Sequence, residues 1–102
     1  MRIVWTEPAE TDLDELFDYI ARDSPIYAER FVDRILDTVV KLAGLPRVGR
    51  QVPEANVDHI RQLIVQSQRV IYAIDEDQGI IHILALVHVR QDLQAQNDPP
   101  WR

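Results

Sequence analysis

Cysteine is absent from the 102 residues, so the fold cannot lean on disulfides or hold zinc through thiolates. That absence fits a reducing compartment. Positive charge is also short: 11 Lys and Arg stand against 17 Asp and Glu, a formal net charge of -6. A protein that coats nucleic acid by charge alone has the opposite balance, and neither membrane binding nor sequence-specific DNA binding is expected. No apolar run reaches the ~18 residues of a membrane span, and no basic-plus-apolar leader opens the chain. A cytoplasmic protein is the expectation. Repeats, low-complexity stretches and linkers are missing too, so the chain reads as one domain, 1–102, long enough to bury roughly two-thirds of its unfolded surface.

What is present centres on Ile60 to Arg90, where three apolar, β-branched runs suit a pleated, half-buried surface. The last two are joined by Glu76-Asp77-Gln78-Gly79, and Gly79 can take the positive φ that a short hairpin loop needs. The earlier turn, Gln66-Ser67-Gln68, has neither glycine nor proline. An antiparallel three-strand meander follows. In its last strand, simple alternation puts Ile81, Ile83, Ala85, Val87 and Val89 on a core face, and Ile80, His82, Leu84, Leu86, His88 and Arg90 on a mixed one.

Upstream, Arg2-Ile3-Val4-Trp5 reads as a first strand recruited into the same sheet. Thr6 is placed to cap a helix that tolerates Pro8 in its first turn, with Ala9, Leu13, Leu16, Phe17, Ile20 and Ala21 as its stripe. Asp23-Ser24-Pro25 stops that helix and starts a second, whose stripe is Ala28, Phe31, Val32, Ile35, Val39 and Leu42, ended by Gly44 and Pro46. So short a connection makes an antiparallel helical hairpin. Residues 46–58 lose all periodicity and read as a loop, and 91–102 is a polar, proline-ended C-terminal tail. The fold class is α+β, in the order β-α-α-β-β-β, with the helical hairpin on one face of an antiparallel sheet.

Charge is unevenly spread. Seven acids crowd Glu7 to Asp23 against Arg22, most simply a solvated helix face, whereas bases prevail from Lys41 to Arg69. The plain reading of Arg61 and Arg69 is pairing with Glu54, Asp58 or Asp75, and that of His88 is a hydrogen-bonded strand-end histidine. His82 and His88 sit ~20 Å apart along one strand and cannot ligate one metal, so neither metal nor cofactor is expected.

Six segments in order carry a family resemblance: 11–16 (TDLDEL), 19–31 (YIARDSPIYAERF), 45–54 (LPRVGRQVPE), 60–63 (IRQL), 69–75 (RVIYAID) and 86–93 (LVHVRQDL). Together the chain resembles the RelE/ParE superfamily of toxins from type II toxin–antitoxin pairs, and more closely its ParE branch. The resemblance implies a growth-inhibiting protein held harmless in a hetero-oligomer with a cognate antitoxin. ParE-like members poison DNA gyrase, trapping it on cleaved DNA; RelE-like members cut messenger RNA on the ribosome. A toxin fold kept only to bind antitoxin is a third possibility.

The resemblance also names candidate residues. In one RNA-cutting subgroup, base, phosphate clamp and acid correspond to Glu54, Arg69 and His88, with Arg61 as an extra cation. That subgroup carries a tyrosine after the histidine, where this chain has Val89; the common tyrosine before the arginine is Gln68, and the tail offers only Trp101. The acid–base set is incomplete. The expectation is therefore a ParE-like toxin without catalytic residues of its own, binding gyrase through Arg61, Arg69 and Arg90 beside the tail.

Overall fold

The structure is a computed structural model that describes residues 1–93 and 98–101. Its elements are strand β1 (Arg2–Trp5), helices α1 (Glu7–Ala21) and α2 (Pro25–Val40), a 3₁₀ turn (Lys41–Ala43), and strands β2 (Arg50–Gln51), β3 (Ile60–Val65), β4 (Gln68–Asp75) and β5 (Ile80–His88). The sheet order is β1-β5-β4-β3-β2. β1 runs parallel to β5 and the other pairs are antiparallel, so the sheet is mixed rather than wholly antiparallel. The added strand, β2, comes from the segment expected to be loop. It is only two residues long, too short for any periodicity to announce it.

Local chemistry explains the helical hairpin. The Thr6 hydroxyl accepts the Ala9 N–H at 3.3 Å, and Ser24 accepts that of Tyr27 at 3.2 Å, with a proline in the first turn of each helix. Thr6 also donates to the Ile83 carbonyl at 2.8 Å, tying the start of α1 to β5. Between α1, α2 and the sheet lies one core, where Phe31, Ile35, Val39 and Leu42 meet Val70, Tyr72, Ile74, Ile81 and Ile83. Gly79 turns the β4–β5 hairpin with φ +69°, and Gln66, at φ 58°, makes the β3–β4 turn without a glycine.

One departure from simple alternation shapes the molecule. Ile71 is opposite Ala85 and Tyr72 is opposite Ile83, so Leu84 is an extra residue, a β-bulge. Beyond it, β5 reverses its faces. Ile81, Ile83 and Leu86 join the helix-side core, while Ala85 and Val87 join a second cluster on the other side with Val52, Ile60, Ile71 and Leu93. The expected single face running from Ile81 to Val89 is thus split in two. The second face is covered in part by the tail, with Leu93 buried and Trp101 packed alongside, while Ile64 and Val89 on it stay exposed. Tail residues 94–97 and 102 lie outside the described residues.

Candidate functional site

The second face carries a closely bonded polar cluster. Arg69 is 6% exposed and grips Glu54 with two parallel bonds, Nη1 to Oε2 and Nη2 to Oε1, each 2.8 Å. Its Nε and Nη2 also donate to Gln62 Oε1, at 2.8 and 2.6 Å, and Nη1 reaches the Gln91 carbonyl at 3.4 Å. Glu54 Oε2 accepts the Leu93 N–H at 3.4 Å as well. The Arg69 guanidinium holds the Glu54 carboxyl down at about 2, against the opposing effect of burial. Glu54 is therefore a poor proton acceptor at neutral pH, and Arg69 has its donors occupied.

His88 stands elsewhere. Strand partners share a face, and His88 is opposite Gln68 whereas Arg69 is opposite Val87, so the two side chains project to opposite sides of the sheet. His88 is exposed and its Nδ1 accepts the Arg90 N–H at 3.1 Å. The fold brings Glu54 and Arg69 together and leaves His88 out.

Arg61 lies on the helix-side face beside Tyr72, three positions from the residue opposite Arg69. It donates to the Asp58 carboxylate at 2.7 Å, to the Asp58 carbonyl at 3.0 Å and to the Gly49 carbonyl at 2.8 Å. Arg47 bonds Asp58 and Glu76, so one short network pins the 46–58 loop to the sheet. The same loop is held by Tyr72, whose hydroxyl accepts from the Gly49 N–H and donates to the Pro46 carbonyl. Of the three cations proposed for target binding, Arg90 alone is exposed.

Gln62 is the residue that sequence reasoning missed. It is 2% exposed, and its Nε2 has no hydrogen-bond partner among the described residues. Its signal was faint: a glutamine between Ile60 and Ile64 on what alternation makes one face of a strand. Among the described residues no group of three or more His, Asp and Glu could hold a metal, and no helix is long and apolar enough to cross a membrane.

Comparison with known proteins places this architecture. Residues 3–93 match the family described as the ParE toxin of type II toxin–antitoxin systems, parDE. The chain is 33% identical over 87 residues to toxin RelE2 of Caulobacter vibrioides, covering 85% of this chain and 93% of the relative. It is 36% identical over 92 residues to the putative toxin Y4kP of Sinorhizobium fredii, covering 88% and 90%. Among solved structures, the chromosomal ParDE toxin–antitoxin system of P. aeruginosa superimposes with TM-score 0.71 at 25% identity, covering 86% of this chain and 95% of that one. The RelBE2 toxin–antitoxin complex of Mycobacterium tuberculosis gives TM-score 0.55 at 25% identity, covering 85% and 95%. The chain belongs to the ParE toxin family of type II toxin–antitoxin systems, within the RelE/ParE superfamily.

Proposed function

We propose that this toxin arrests growth in the cytoplasm by binding DNA gyrase rather than by cutting RNA, and that a cognate antitoxin neutralises it. The observation that carries the binding reading is the closed Glu54–Arg69–Gln62 cluster with His88 on the opposite face. RNA cleavage needs a base, a cation and an acid converging on one phosphate, because proton transfer works only at hydrogen-bond distance. Here the base and the cation neutralise each other. The antitoxin reading draws on the two structural relatives, a ParDE toxin–antitoxin system and a RelBE2 toxin–antitoxin complex.

On this reading Arg90 touches the target directly, next to the tail, while Arg61 and Arg69 act through the loop and the cluster they hold in place. The RNA-cutting alternative keeps one point in its favour, the 33% identity to a toxin named RelE2. Growth arrest on induction separates the two. Arg90→Glu should abolish or strongly weaken toxicity and His88→Ala should leave it intact. Loss of toxicity in His88→Ala, with codon-phased messenger cuts in the wild type that vanish in the variant, would instead select the nuclease.

A further inference from the structure

A cleft of about 430 Å³ opens on the second face between β2, β3 and the segment after β5, lined among others by Arg50, Glu54, Gln62, Ile64, Arg69 and Val89. The polar groups in it are unequally served. Arg69 and Glu54 satisfy each other, and Asp92 is engaged with other groups. Gln62 is not satisfied. Its Oε1 is fixed toward Arg69 by two donated bonds, which sets the amide orientation and leaves Nε2 as a buried donor with nothing to receive it. An unserved buried donor is costly in the free protein and marks a place where an incoming acceptor is rewarded.

Arg50 supplies the second half of the site. It is opposite Gln62 in the β2–β3 pair, so the two side chains project side by side on the same face. Arg50 is exposed, and its guanidinium makes no hydrogen bond or ion pair among the described residues. Two adjacent donors, one cationic, call for a carboxylate, which can accept from both.

The surroundings say how that carboxylate arrives. β2 pairs only with Arg61 and Gln62, so among the described residues no strand pairs with the outer edge of β3 from Leu63 onward. Ile64 and Val89, 53% and 41% exposed, form an apolar lip on the cleft. An open strand edge beside an apolar lip fits an extended peptide better than a free metabolite, because main-chain bonds and alternate side chains can both be used. We infer that the Arg50–Gln62 pair is the receptor for one aspartate or glutamate side chain carried on an extended segment of the antitoxin, laid along the open edge of β3. The inference rests on the antitoxin reading above and names the chemistry of its contact.

The test uses the complex obtained by co-expressing the toxin with the adjacent reading frame. Arg50 is exposed, so Arg50→Ala removes one donor without disturbing the core. Gln62→Glu keeps the oxygen that Arg69 uses and turns the free donor into an acceptor that meets Arg50 and repels a carboxylate. Each should raise the dissociation constant about tenfold or more, while the free Gln62→Glu chain melts no lower than wild type. Replacing the partner's acids one at a time with alanine should reveal one that couples to Arg50→Ala, the double change costing little more than either alone. Wild-type affinity in both variants, or no coupled acid, would overturn the inference and leave Gln62 served by water. A wild-type chain that fails to bind the neighbouring product at all would sink the antitoxin reading and this inference with it. Toxicity of the uncomplexed chain judges the gyrase proposal separately.

Discussion

Glu54 and Arg69 form a bidentate pair whose side chains are only 13% and 7% exposed. Breaking a pair this buried by removing one partner strands the other, so Glu54→Gln should cost roughly 3–5 kcal/mol, read as a lower midpoint in urea. The pH dependence follows in sign. Glu54's folded pKa lies below its unfolded value, so its contribution is fully present above the usual carboxylate range and disappears as pH falls toward about 2. Wild type should lose stability on acidification between about pH 5 and 2, and Glu54→Gln should lose markedly less over that window. A second residue-scale test is Gly49. A Cβ there would meet the Gln62 carbonyl oxygen at 2.4 Å and the Tyr72 hydroxyl at 2.6 Å, so Gly49→Ala must push the loop off the sheet and lower the melting temperature. Charge pairing made Arg69–Glu54 and Arg61–Asp58 foreseeable from the sequence. Their seclusion was not, because burial depends on the loop and tail that fold over them.

Among the elements, the helical hairpin was the most legible, since caps, prolines and 3.6-residue stripes all agree locally. Phe31 shows what that agreement secures. It is buried between the helices and the sheet and sits edge-on to Tyr27, with ring centroids 6.1 Å apart. Phe31→Ala should cost ~3–5 kcal/mol, checked by chemical denaturation. An unchanged midpoint would mean the hairpin does not rest on this residue. β5 was legible only up to Ile83. Its bulge inserts Leu84 into an otherwise regular run of aliphatic residues, and nothing in that composition distinguishes the extra residue from its neighbours. The consequence is functional. The reversal sends Val87 to the Arg69 side and His88 to the other, which separates the candidate acid from the candidate base.

For the molecule as a whole, shared ancestry fixes the fold and the toxin class but not the target, which must come from the surface. The tail belongs to that surface and to the core at once. Leu93 is 1% exposed within the second cluster, and Trp101 packs against it. Truncation after Arg90 should therefore cost at least the ~2–5 kcal/mol of one buried leucine, seen as a lower melting temperature. Toxicity lost on truncation would consequently mix unfolding with lost contacts, whereas Arg90→Glu changes an exposed charge on an intact fold. The central claim, a toxin that binds gyrase and lacks a nuclease centre, meets its most direct test in a purified reaction. The wild-type chain is mixed in one tube with gyrase and supercoiled plasmid, and in another with ribosomes programmed with messenger RNA. On the gyrase-binding reading, gyrase is trapped on cleaved plasmid, trapping is lost in Arg90→Glu and kept in His88→Ala, and messenger stays intact throughout. Messenger cut at the ribosome by wild type but not by His88→Ala, with the plasmid uncleaved, would contradict it.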